Sequence, residues 1–332
     1  MSYTPPQNHI SMFRPLSALG AILAIGSVLG LAACKKKEQP ESPAAAQTDN
    51  PAQQPEIKKD GSAAKVEPKP EPVSAAAAGS LKEGTIRDIR LYDLGGGVKL
   101  ELRYVPGGKF TMGSPLAEEG RGEDEEQVEV SLSSHFWMAK TECTQRQWKA
   151  LEAENPSASK AEEQPVENVT LGEALKYCEK LNAKLKLPDG WKFALPTEAQ
   201  WERACRGGKD TVFSFGNTMT GSVANMDGTN PYGVGVEGPY LKRPTKVASY
   251  EVNAYGLHDM HGNVGEWCLD RWSAKLPGGT DPLVNSGTEF VTRGGSWSDD
   301  GKDCRAASRN KVGDGVSDNN LGFRVVAVPP GK

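Results

Sequence analysis

Residues 256–272 read GLHDMHGNVGEWCLDRW and place Asp259, Asn263 and Glu266 within eight positions. Gly262 and Gly265 interrupt any helical or strand period there, which leaves the backbone free to turn its own carbonyls inward. Carboxylates together with free carbonyls suit a hard cation such as calcium. A glycine-rich turn capped by Asx side chains explains the same spacing. The stretch also holds a His-x-x-His pair, His258 and His261, with no further histidine or paired cysteine at zinc spacing nearby.

Six cysteines are present; setting aside Cys34, the remaining Cys143, Cys178, Cys205, Cys268 and Cys304 are odd in number. At least one therefore stays free or pairs between chains. With 332 residues, 37% hydrophobic content and 7 Trp, the chain can bury one sizeable core. A formal net charge of −4, with both signs interleaved, makes no case for nucleic acid.

The elements that must position these residues are short. Val128 to Leu132 alternates as a strand, and residues 104–114 read strand, Pro-Gly-Gly turn, strand. Thr85 to Leu102 reads as a hairpin, with Ile86, Ile89 and Leu91 alternating before a Gly95-Gly96-Gly97 turn. Three capping boxes, Thr144/Gln147, Thr170/Glu173 and Thr197/Gln200, each announce a helix. In the second helix Ala174, Tyr177, Cys178 and Leu181 form the apolar stripe. The acidic tract at 118–126 reads as a solvated loop, with a patch for a cation or basic partner as the alternative. Residues 206–244 carry loop composition, yet Phe213, Phe215, Tyr232 and Tyr240 imply that these loops are packed and pinned by a metal or a disulfide.

Upstream, Arg14 precedes an apolar run from Leu16 to Ala33 that ends Leu-Ala-Ala-Cys. The run resembles a bacterial lipobox, which implies residues 1–33 as a lipoprotein signal peptide and Cys34 as the lipidated residue. An ordinary signal peptide or a short membrane helix, with an incidental cysteine, is the alternative. Residues 34–81 are Pro, Ala, Lys and Glu rich and read as a disordered tether, and 82–332 as the folded domain. After residue 34 nothing is long and apolar enough to span a membrane, so membrane contact is expected through the lipid anchor alone.

Across that domain the motifs MGS at Met112, FWMAKTECTQRQW from Phe136, LPTEAQWERACRGG from Leu195, GLHDMHGNVGEWC, RGGSW from Arg293, CRAASR from Cys304 and LGFRVV from Leu321 recur in order. Together they resemble the formylglycine-generating enzyme, or sulfatase-modifying factor, family. The resemblance implies an α+β C-type lectin-like fold with little regular secondary structure. It implies calcium held by the side chains of Asp259 and Glu266 and the backbone oxygens of Gly262 and Val264. A second calcium site would begin at Asn225 and the carbonyl of Met226, without a clear acidic ligand downstream. It also implies a disulfide between Cys205 and Cys304; the family's other disulfide lacks a partner for Cys178, because Val325 stands there. Cys178 then finds Cys143 or stays buried as a small apolar residue.

The family's oxidases place two cysteines, five apart, between the positions of Trp297 and Cys304 to bind copper(I). Here the interval reads Ser-Asp-Asp-Gly-Lys-Asp, which offers no soft ligand, so copper is not expected. An iron-dependent branch of the family uses histidines, but no array forms from His135, His258 and His261 in sequence. What remains is a polar C-terminal segment suited to binding, with Trp297 as anchor and Ser298, Asp299 and Asp300 as adaptable contacts. Arg305, Arg309 and Arg324 either hold an acidic ligand there or form buried ion pairs with Asp259, Glu266 or Asp270. The expectation is a lipid-anchored, extracytoplasmic protein of the bacterial cell envelope that binds a protein or small-molecule ligand. An oxidase acting on partner cysteines, an iron-dependent relative and a purely structural envelope subunit are the alternatives.

Overall fold

The computed structural model describes residues 81–331. The segments expected to be a signal peptide and a tether, with Cys34 between them, lie outside the described residues. Leu81 is fully buried, and its carbonyl accepts from Trp137 Nε1 at 3.2 Å.

Five antiparallel strands form the central sheet in the order β1 (Ile89–Gly95), β2 (Val98–Val105), β5 (Phe136–Ala139), β12 (Val326–Val328), β6 (Lys192–Ala194). Side chains on a strand alternate between faces, so one strand can serve two cores. Trp137, Ala139 and Ala327 join the core that holds α2 (Leu171–Leu185), whereas Phe136, Met138, Val326 and Val328 join the one that holds α3 (Glu198–Arg206). The β1–β2 hairpin turns at Gly95 to Gly97, all at positive φ, as the sequence predicts. Its inward positions are Tyr92 and Leu94, however, and Ile86 is exposed. The register sets the even positions Tyr92 and Leu94 against the core, where the apolar Ile89 and Leu91 in sequence suggest the odd ones.

A second sheet runs β10 (Arg309–Gly313), β9 (Glu289–Arg293), β7 (Gly265–Arg271), β11 (Leu321–Gly322), and a third β3 (Gly108–Met112), β4 (Val128–Leu132), β8 (Gly279–Thr280). All three capping boxes form, at α1 (Gln145–Lys149), α2 and α3, with each threonine hydroxyl accepting from the third backbone N–H and the Gln or Glu side chain returning to the cap. Helices of 5, 15 and 9 residues with so few turns depend on tertiary burial. Asn253 finishes α3: its side-chain amide donates to the last-turn carbonyls of Ala204 at 2.7 Å and Cys205 at 3.2 Å.

Between α3 and β7 no helix or strand forms among the described residues. The segment packs through its own small core of Phe213, Met219, Ala224, Met226 and Tyr232 against Cys304. His261 locks this core to the rest. Its Nδ1–H donates to the Cys304 carbonyl at 2.8 Å, its Nε2 accepts from the Ser214 N–H at 3.0 Å, and Phe213 and Phe215 meet the ring edge-on. The two nitrogens thus take opposite roles, which only a neutral imidazole can do.

Burial pushes the His261 imidazole down to about 4, whereas an unfolded histidine titrates near 6.5. A depressed folded pKa gives stability that is complete above pH 6.5 and is lost as pH falls toward 4. The stability difference between the wild type and His261→Gln, followed by urea unfolding, is expected to shrink by roughly 3 kcal/mol over that window. A difference independent of pH would show that His261 is not the buried neutral clasp described above.

Candidate functional site

Beyond β9 the chain turns at Gly294 (φ +97°) and Gly295 (φ +64°). A β-carbon on Gly295 would stand 2.6 Å from Cys304 Sγ, so only glycine lets this loop lie on the 301–304 turn. The turn opens a cleft of about 390 Å³ against β10 and the segment leading to β11. Ser296, Asp299, Asp303, Asn310, Asp318 and Asn320 supply its polar lining, with Val312 and Val316 beside them. Ser296 Oγ donates to Asp299 at 2.6 Å, and the Asn320 amide donates to the hydroxyls of Ser296 at 3.2 Å and Ser298 at 3.0 Å. Burial, followed by neighbouring acids, pushes the Asp299 and Asp303 carboxyls above their usual range.

Trp297 works from the rim. Its backbone N–H donates to the Asn263 carbonyl at 2.9 Å and its indole N–H to the Asn319 carbonyl at 3.1 Å, which clamps the loop to β11. Asp300 points away and pairs with Lys302 at 3.3 Å. Of the polar quartet foreseen for binding, Ser298 and Asp299 therefore meet around Ser296, while Trp297 positions them.

The arginines do something else. Arg305 grips Glu118 and Glu125 at 2.7 Å each, Arg309 takes both oxygens of Glu198 at 2.6 and 2.9 Å, and Arg324 takes both oxygens of Glu266 at 2.6 and 2.7 Å. Their side chains are buried, so they are not available to an acidic ligand, and the expectation that they hold one is corrected. Glu266 is one of the three acids expected to pair with these arginines, and Arg324 takes it. Glu118 and Glu125 overturn the reading of the acidic tract as merely solvated, because their basic partner is this chain's own Arg305. Arg293 adds a further buried link, to Glu198 at 3.3 Å and to Glu202, which also accepts from Arg206 at 2.9 Å.

The donor set carried over for calcium fits in part. Asp259 is buried, and its Oδ2 accepts from the Ala248 N–H at 2.7 Å while Oδ1 has no partner. Glu266 does not fit: Arg324 occupies both oxygens, and Trp201 Nε1 adds a third donor at 2.7 Å. A cation there would meet a guanidinium on the same carboxylate. Gly262 (φ +82°) lies so close to Asn225 that a β-carbon would stand 2.2 Å from the Asn225 carbonyl oxygen, and that oxygen accepts from the Asn263 N–H. The Asn225 side chain keeps a free Oδ1, whereas the Met226 side chain serves the small core. Val264 is buried at the entry to β7.

A further acid, which no sequence motif singles out, lies beside Asp259. Glu142 is fully buried, accepts from Asn263 Nδ2 at 2.9 Å through Oε1, and leaves Oε2 without a partner. Burial and then the Asp259 charge push its carboxyl well above the usual range. Its one signal in the sequence is a glutamate wedged between the apolar strand FWMA and a helix cap. Glu198 and Glu202 are legible in the same way, since they share the face of α3 that carries Trp201 and Cys205.

All five described cysteines are buried thiols, so the disulfide expected between Cys205 and Cys304 is not formed in this structure. Instead both residues meet His261, whose Nε2 lies 3.6 Å from Cys205 Sγ. Burial pushes the Cys304 thiol far above its usual range, the opposite of what a reactive thiolate needs. Cys143 donates its N–H to the Phe323 carbonyl at 2.9 Å, next to the position of Val325. The three histidines serve separate places: His135 meets the Leu81 carbonyl at 2.8 Å and His258 the Tyr250 carbonyl at 2.8 Å, while His261 holds the small core.

Residues 100–328 match the family described as the sulfatase-modifying factor enzyme 1-like domain. A formylglycine-generating enzyme of Thermomonospora curvata is 32% identical over 198 residues, 55% of this chain and 61% of the relative, so the chain spans about three fifths of that protein. A protein of Paenibacillus barcinonensis named chaperone protein LppX is 32% identical over 206 residues, 51% of this chain and 71% of the relative. Among solved structures, Treponema denticola variable protein 1 superposes with a TM-score of 0.62 at 27% identity, covering 73% of this chain and 99% of that one. With the motifs in order, three sheets of the expected irregular α+β type and a family match over most of the chain, this protein belongs to the sulfatase-modifying factor enzyme 1-like domain family.

Proposed function

We propose that this protein is a lipid-anchored component of the bacterial cell envelope whose family domain, held by calcium, binds a protein or small-molecule partner through the cleft beside Trp297. One observation carries the reading. The loop that in the oxidases brings paired thiols presents hydroxyls, amides and carboxylates here, around a concave polar site of about 390 Å³. Such groups recognise by hydrogen bonding and do not hold copper(I). The name chaperone borne by one relative and variable protein borne by one fold neighbour are in keeping with a binding role.

The oxidase reading, conversion of a partner's cysteine to formylglycine, is favoured by the relative of that name. It requires a thiolate, and the nearest thiol, Cys304, is buried and protonated. Chain residues available at the cleft can orient a ligand and exclude some of its water, with Asp299 and Asn320 as the directional contacts.

Full-length protein purified without chelator is expected to form no aldehyde from cysteine-containing peptides under oxygen. It is also expected to retain an envelope partner by chemical crosslinking, with the yield falling at least tenfold in the double variant Asp299→Ala, Asn320→Ala. Aldehyde formation with bound copper or iron would overturn the binding reading, as would crosslinking indifferent to the double variant. Cys34→Ser is expected to move the protein from the membrane pellet to the soluble fraction; a variant that stays in the pellet would remove the anchor.

A further inference from the structure

We infer that the cleft beside Trp297 takes an alkylammonium group, the end of a lysine side chain on a partner protein or of a free aliphatic amine. The inference rests on the cleft reading of the proposed function and adds the chemistry of the ligand. Its first ground is charge. Asp299 and Asp303 border the cavity from the loop after β9 and Asp318 from the segment leading to β11, so three carboxylates share one space.

Among the described residues no cation pairs with them. Arg293 and Arg309 line the same cavity, but Arg293 donates to Glu202 and to the carbonyls of Ala306 and Ser308. Arg309 donates to both oxygens of Glu198 and to the carbonyls of Asp124 and Ser273. Lys302 turns to Asp300 at 3.3 Å, Lys311 to Glu289 at 3.6 Å, and Arg305 to Glu118 and Glu125, so Lys302 and Arg305 act on Asp303 only from a distance. Asp303 and Asp318 are exposed, which keeps both charges in water until a ligand covers them. A cation complements this cavity.

The second ground is the way the acceptors are presented. Asp299 Oδ2 accepts from the Ser296 hydroxyl at 2.6 Å and Asp318 Oδ1 from the Asn319 N–H at 2.7 Å, which leaves each of these carboxylates one oxygen for a ligand. A guanidinium fits a carboxylate best through two parallel bonds to both oxygens. An ammonium is a compact charge with three donors, each able to take a single oxygen from a different wall. The set therefore favours an amine over a guanidine. Val312 and Val316, the latter 46% exposed, border the same cavity and give a methylene stem an apolar strip to lie along.

The acceptors are also fixed in place. The Asp318 carbonyl accepts from the backbone N–H groups of Asn168 at 2.9 Å and Leu321 at 3.1 Å, and the Asp299 carbonyl from that of Asp227 at 2.9 Å. Such preorganisation lowers the cost of binding.

The test is calorimetric titration of the full-length protein with a capped alanine peptide carrying one central lysine, with its arginine and Nε-acetyllysine counterparts, and with diaminopentane. The lysine peptide is expected to bind roughly tenfold more tightly than the arginine peptide, and the acetyllysine peptide not at all. Asp303→Asn and Asp318→Asn keep the side-chain shape and remove the charge, and each is expected to weaken amine binding about tenfold. Binding of the lysine peptide assigns the group to a partner protein, and binding of diaminopentane alone to a free amine; either supports the inference. Neither amine binding, the arginine or acetyllysine peptide binding as well as lysine, or affinity unchanged in both variants overturns it. Partner crosslinking that falls in the Asp299→Ala, Asn320→Ala variant while no amine binds removes this ligand and leaves the cleft. Crosslinking indifferent to that double variant removes the partner reading of the cleft, whatever the amines do.

Discussion

The buried pair of Arg324 and Glu266 is the contact on which most of this architecture depends. Arg324 comes from the strand region behind Phe323, Glu266 from β7, and Trp201 of α3 donates to the same carboxylate. The remaining guanidinium donors close on the carbonyls at the end of β5 and on the loop ahead of β7. Sheet, helix and irregular loop therefore share one charged hub. Removing either partner would leave an unmatched charge in a dry core, which costs about 3–5 kcal/mol, a large part of a domain's stability.

The same rule shapes the region behind the cleft. Arg293, Arg305 and Arg309 line up on Glu198, Glu202, Glu118 and Glu125, so that the second sheet is fastened to α3 and to the 118–126 loop by ion pairs where a sandwich would use apolar contacts. Arg309 also lies 4.4 Å over the Trp272 ring, and Arg293 5.3 Å over Trp201. Arg293 and Arg309 also line the cleft, but their guanidinium groups are tied to Glu198 and Glu202, so its directional polar contacts are hydroxyls, amides and carboxylates. Where a scaffold is clamped this way, the loop on top can change its side chains without changing its position.

Local signals are legible where the physics is local. A threonine followed three residues later by Gln or Glu satisfies two helix-end donors by itself, so all three boxes can be read from the chain and all three form. The glycine turns behave likewise. Ordered motifs identify the family because each is a short contact pattern that survives in sequence. The inward face of the first hairpin is misleading in sequence because Ile89 and Leu91 look more apolar than Tyr92, and only the pairing register chooses the face.

By itself, then, the sequence determined the helix caps, the turns, the family and the loss of the paired cysteines between Trp297 and Cys304. Tertiary structure alone decided which acid meets which arginine: Glu125 with Arg305 across 180 residues, Glu198 with Arg309 across 111, and Glu142 with one oxygen left unpartnered. The reason is physical. A charge advertises no partner along the chain, and its value inside a protein is set by distance and dielectric, which exist only once the chain has folded around it.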